Sequence, residues 1–228
     1  MPYIIVVLLL VGLLYGPQIW ARSTFKRHAK PRDDIQGSGG ELASHLISRY
    51  ALKDVQVECT ETQGDHYDPV SRTVRLSPDN YNGRSLTAIA IAAHEVGHAI
   101  QHFRQERLLS LRSKLIESTA QFQQLAAMFL IVIPVVAAFV RSPILGLVML
   151  LIGISSMGAS VVVHLVTLPV EIDASFGKAL PILKEGNYIQ KKDEAAVRRI
   201  LKAAAYTYVA ASLASLLNLW RWFAVFKR

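Results

Sequence analysis

Cysteine is almost absent from this sequence: Cys59 is the single one among 228 residues. No internal disulfide can form, and a thiolate zinc cluster is excluded. A lone thiol suits a polar region that faces a reducing compartment. Also missing is a basic stretch ahead of the first apolar run, the usual opening of a secretory signal peptide. The basic residues stand on its far side instead, at Arg22, Lys26, Arg27, Lys30 and Arg32. There is no internal repeat and no low-complexity tract. No RNA-binding aromatic signature or zinc-knuckle spacing accompanies the net charge of +8, so nucleic acid is not an expected partner.

What the chain does have is hydrophobicity in long blocks. Apolar residues make up 52% of it, and the mean hydropathy is +0.30. Four blocks read as bilayer spans: Tyr3 to Trp20, long enough at 1.5 Å per residue, then Leu125 to Val140, Ile144 to Leu168 and Tyr206 to Phe226. Only Arg141, Ser142 and Pro143 separate the second from the third, which predicts a tight hairpin. Gly153, Ser156 and Ser160 are small enough for its helices to approach closely. Arg221 and Trp222 suit an interfacial anchor in the last block. Cytoplasmic flanks are rich in Lys and Arg, so the cluster after the first block reads as cytoplasmic and the N-terminus as outside. That cluster could also attract anionic lipid. Lys227 and Arg228 would then lie outside, against the rule.

The expected fold class is mainly α: a four-span helical membrane protein with a small α+β domain. Residues 1–21 form the N-terminal anchor and 22–124 a cytoplasmic region. Residues 125–169 are the transmembrane hairpin, 170–203 a second cytoplasmic helical region and 204–228 the C-terminal span. Within the polar part, Pro31 to Gly40 is a linker, and Leu42, Leu46 and Ile47 predict an amphipathic helix over Glu41 to Leu52. Val55 to Thr60 and Arg72 to Ser77 alternate like half-buried strands. Gly64 to Pro69 between them has turn composition. Ser85 is placed to cap a helix that starts at Leu86 and runs past His98.

That helix carries His94-Glu95-Val96-Gly97-His98. Residues four apart share one helix face, so His94 and His98 can offer imidazoles to one zinc at about 2.0–2.1 Å. Zinc lowers the pKa of a coordinated water to about 7 and polarises a carbonyl, and Glu95 stands where it can take the proton. This spacing on a helix is a metalloprotease signature, so the α+β domain over residues 22–124 is expected to be a zincin-like catalytic domain. A catalytic zinc takes three protein ligands. His102 lies a turn too far along the helix, and the extended His-x-x-Gly-x-x-His spacing is absent. Glu171, where the third block re-enters the polar side after Pro169, is the preferred third ligand. Asp173 is its close rival, and Glu106, Glu117 and Glu185 are weaker candidates.

The run Ala92-Ala93-His94-Glu95-Val96-Gly97-His98-Ala99-Ile100-Gln101 is preceded by Asp65-His66-Tyr67-Asp68-Pro69. It is followed by Leu168-Pro169-Val170-Glu171-Ile172-Asp173-Ala174-Ser175. With these three motifs the chain resembles the bacterial membrane-bound neutral zinc metallopeptidases (YugP-like) over nearly its whole length. The resemblance implies a zinc-dependent endopeptidase of the gluzincin type, with one zinc on His94, His98 and Glu171 and with Glu95 as base. In the wider group of membrane zinc proteases, a carboxylate four residues after the ligand Glu orients the first His. Here that position holds Ser175, which leaves the orienting role open between Ser175 and Asp173.

Three features have both a functional and a structural explanation. Among His66, Tyr67 and Asp68, one residue could donate to an oxyanion; the alternative is a turn fixed by Asp side chains and Pro69. Arg72 to Ser77 could be the edge strand that receives an extended substrate, or half of a small sheet. His164, in the third block, could be functional or simply interfacial. The expected substrates are membrane or membrane-proximal polypeptides, cleaved at the cytoplasmic face of the cell membrane. A zinc-bound scaffold without turnover is the alternative from another class. A small transporter fits poorly, because charges inside the blocks are scarce.

Overall fold

The computed structural model describes residues 2–61, 64–140 and 142–207. It is mainly helical with one three-stranded sheet. The helices are α1 (Pro2–His28), α2 (Gly39–Arg49), α3 (Pro78–Tyr81), α4 (Leu86–Phe103), α5 (Arg107–Val140), α6 (Pro143–Ile172) and α7 (Leu180–Glu185). A π-helical segment, Asp173–Ala179, joins α6 to α7, and a last helix, α8, occupies residues 194–207. The expected final span, with Arg221 and Trp222, lies outside the described residues.

α2 begins two residues before the amphipathic stretch expected there. Its start is a capping box: Ser38 Oγ accepts from Glu41 N, and the Glu41 carboxylate accepts from Ser38 N. The strands are β1 (Gln56–Cys59), β2 (His66–Asp68) and β3 (Thr73–Leu76), in spatial order β1-β3-β2. β1 pairs parallel with β3, and β2 pairs antiparallel, with Tyr67 opposite Val74.

This order corrects two expectations. Residues 72–77 do not form the edge strand; β3 is central, with Val74 and Leu76 fully buried. The edges are β1 and β2, and β2 lies in the segment whose composition suggested a turn. There Asp65 accepts from Ser77 N, Ser77 Oγ and Asn80 Nδ2, which straps the strand's entry to the start of α3. Turn-forming Asp and Pro flank a three-residue strand too short to show alternation.

α4 is the buried axle of the polar unit. Ser85 accepts from Ala88 N at its start, and every residue from Leu86 to Gln101 is buried. A helix covered on all sides must offer small residues to its neighbours, and Ala88, Ala90, Ala92, Ala93 and Ala99 do so. Around it pack Leu42 and Leu46 of α2, Val74 and Leu76 of β3, Leu180 and Leu183 of α7, and Val197, Ile200 and Leu201 of α8. The end of α1 is tied on by Thr87 Oγ1, which donates to Phe25 O at 2.9 Å.

Arg32, read from sequence as part of a topological charge cluster, also has a structural partner. Its Nη1 lies 2.7 Å from Asp193 Oδ1, across 161 residues of chain.

Two helical stretches among the described residues are long and apolar enough to cross a membrane, Arg107–Val136 and Ile144–Glu185. They cover most of the expected hairpin, and Gln123 Nε2 donates to Ser160 Oγ between them. α5 runs unbroken from the polar region into the apolar run. Pro169 does not break α6, which continues to Ile172 and delivers Glu171 to α4.

Candidate metal centre

His94 and His98 lie one turn apart on α4, their rings 4.8 Å between centroids and nearly perpendicular. Glu171 enters from the end of α6. Its Oε2 stands 3.3 Å from His94 Nε2 and 3.2 Å from His98 Nε2. One ligand atom from each residue lies within 4.8 Å of the other two. Glu171 is 0% exposed, His94 3% and His98 6%. The close packing depends on Gly97, on the ligand face of α4: a Cβ there would stand 2.8 Å from Ala174 O.

The hydrogen bonds around the imidazoles decide which ring nitrogens are free. Gln101 Nε2 donates to Val170 O at 3.0 Å and to Asp173 Oδ2 at 2.8 Å. Its Oε1 is therefore the atom that faces His98 Nδ1, at 2.9 Å, and it accepts from the Nδ1–H. Ser175 Oγ donates to Leu201 O at 3.2 Å, so its lone pair accepts from His94 Nδ1–H at 3.0 Å. Both Nε2 atoms thus turn lone pairs toward the same carboxylate oxygen. Three acceptors facing one another in a buried site call for a cation among them, and two imidazoles with a carboxylate suit zinc.

Asp173, the rival third ligand, is not in that group. It acts one step out, on His98 through Gln101, and Lys178 Nζ holds it at 2.7 Å while also meeting Glu106 at 3.0 Å. Burial opposes ionisation of Asp173, but the bonds from Lys178 and Gln101 outweigh it and hold its pKa below the ordinary value. Ser175 takes the position on His94. Glu106 serves the Lys178 pair, while Glu117 and Glu185 are not members of the ligand group. Gln101 was not anticipated; its place seven residues after His94, on the same helix face, was the available signal.

Glu95 lies beside the ligand group, 7% exposed. Burial pushes its carboxyl up to about 7, with the attraction of His94 working against the rise and Glu171 adding to it.

A cleft of about 160 Å³ opens onto Glu95 and His98. Its walls are His66, Tyr67 and Pro69 on one side and Leu109, Arg112 and Ile116 of α5 on the other. Tyr67 Oη and His102 Nδ1 are 2.8 Å apart at its edge. Burial raises the Tyr67 phenol to about 12, so the hydroxyl keeps its proton. Asp68 faces away from this chemistry, bonded to Arg75 and Ser71.

A buried helix with two histidines and an adjacent glutamate, completed by a distant carboxylate, defines the class, and the sequence agrees. The chain belongs to the family described as "Putative neutral zinc metallopeptidase", whose model matches residues 3–227. It is 38% identical over 228 residues to the "Putative membrane protease YugP" of Bacillus subtilis (strain 168), covering 99% of this chain and 97% of that protein. No solved structure matches it.

Proposed function

We propose that this chain is a membrane-bound zinc endopeptidase of the gluzincin type, with one zinc on His94, His98 and Glu171 and with Glu95 as general base. The observation that carries this reading is the meeting of two Nε2 lone pairs and one carboxylate oxygen beside a buried second carboxylate, at the floor of a cleft. Zinc held there would supply an acidified water and a polarised scissile carbonyl. The chain's own residues would do the rest. Ser175 and Gln101 fix the imidazoles in the tautomer that points Nε2 inward. Glu95 takes a proton from the attacking water onto a carboxylate oxygen and returns it to the leaving amine.

Charge and the continuity of α5 support a membrane arrangement of four spans, with residues 22–124 and 170–203 on the cytoplasmic side and both halves of the site in one compartment. Residues 1–21, 125–169 and 204–228 are the membrane parts. The cleft is walled by the helix that continues into the hairpin, which supports membrane or membrane-proximal polypeptides as substrates.

The test pairs metal analysis with casein cleavage, using detergent-purified wild type and Glu95→Gln. One zinc per chain in both, with cleavage by wild type alone, is the expected result. Zinc in both without cleavage by either would favour a non-catalytic scaffold. Absence of zinc from both would sink the reading.

A further inference from the structure

The ligand carboxylate is treated unequally at its two oxygens. Oε2 faces both imidazoles. Oε1, equally buried, accepts no hydrogen bond and lies 3.3 Å from Nη1 of Arg112. Arg112 comes from the second turn of α5, and its side chain is 17% exposed where it borders the cleft. Leu109, Arg112 and Ile116 recur at helical spacing, so one face of α5 closes the cleft and presents a guanidinium to the third ligand.

A carboxylate can hold a cation through one oxygen or through both. In the first case the second oxygen keeps most of a negative charge and needs its own partner when buried. The Arg112 guanidinium supplies that partner.

We propose that Arg112 is a positioning residue: by pairing with Oε1 it holds Glu171 as a one-oxygen ligand and keeps a coordination position open. Lysine at this place can serve because the role asked of the side chain is a positive charge facing Oε1. Since Arg112 stands on the helix that enters the membrane hairpin, the geometry of the site depends on how that helix is seated. This inference rests on the zinc reading above.

The experiment uses full-length protein in detergent, loaded with cobalt(II): wild type, Arg112→Met, Arg112→Lys and, as a control for lost charge on the same helix, the exposed Lys114→Ala. The visible absorption of cobalt(II) weakens as its coordination number rises. Wild type, Arg112→Lys and Lys114→Ala are expected to share one intense band. Arg112→Met should give a weaker, shifted band as the released Oε1 turns to the metal, and should lose cobalt to a chelator at about tenfold lower concentration. An unchanged band in Arg112→Met would overturn the role of Arg112 and leave the metal site intact. Failure of all four proteins to bind cobalt would instead overturn the zinc reading. If Arg112→Met does not fold, Arg112→Lys decides: the wild-type band supports the pairing, and its loss overturns it.

Discussion

His98 and Gln101 are joined by a bond from the imidazole Nδ1–H to the amide Oε1, 2.9 Å long and fully buried. The same amide reaches Val170 O and Asp173, so one side chain on α4 both orients a ligand and ties down the strand of chain that delivers Glu171.

Replacing Gln101 with Leu should therefore cost more than an ordinary core substitution. It removes the acceptor on His98 and takes one donor from Val170 O and one from Asp173, which keeps Lys178. Zinc affinity is expected to fall by about 10–100-fold, read by chelator competition. Affinity equal to wild type would show that His98 is held by other contacts.

Ser175→Ala should be milder. His94 Nδ1–H loses its acceptor, but Leu201 O loses only one weak donor. About a tenfold loss of zinc affinity is expected with little change in Tm. A large fall in Tm without loss of affinity would assign Ser175 a purely structural part.

Gly97→Ala puts a methyl group 2.8 Å from the Ala174 carbonyl, and backbone on both sides leaves no flexible atom to yield. Overpacking of this kind costs about 1–3 kcal/mol. Because the strain separates α4 from the segment after Glu171, zinc content should fall along with Tm. A stable variant with full zinc content would mean that the two elements can part without disturbing the ligands.

Asp68 gives a pH dependence away from the metal site. Arg75 and then Ser71 hold its carboxylate well below the ordinary range, outweighing burial. A carboxylate whose pKa is lower folded than unfolded contributes stability that is complete above the unfolded value of about 4 and declines as pH falls through the folded value. Wild type should thus be more stable than Asp68→Asn at pH 7, with the gap closing under acid. The pair is partly solvated, so the gap should be small. A gap independent of pH would show that the effect does not come from the charge of Asp68 beside Arg75.

What could be read without coordinates was set by local geometry. The helix period places His94 and His98 on one face whatever surrounds them, and Ser85 announces the start of α4 because a cap acts within one turn. Long apolar runs declare themselves by length alone, as the hairpin of α5 and α6 does. Glu171 could be ranked first by its place after such a run, although 73 residues separate it from His98.

The rest was decided by packing. A three-residue edge strand has no period to detect, so β2 looked like a turn, and strand order depends on partners that sequence spacing does not express. The spacing left the orienting role open between Ser175 and Asp173, and the packed structure decides it: Ser175 meets His94 directly and Asp173 acts through Gln101. Arg112 and Arg32 look in sequence like any other cations, and only the fold brings them to Glu171 and Asp193. Local spacing governs angles on a single element. Contacts between elements depend on how buried surfaces fit, and that is settled only when the whole chain packs.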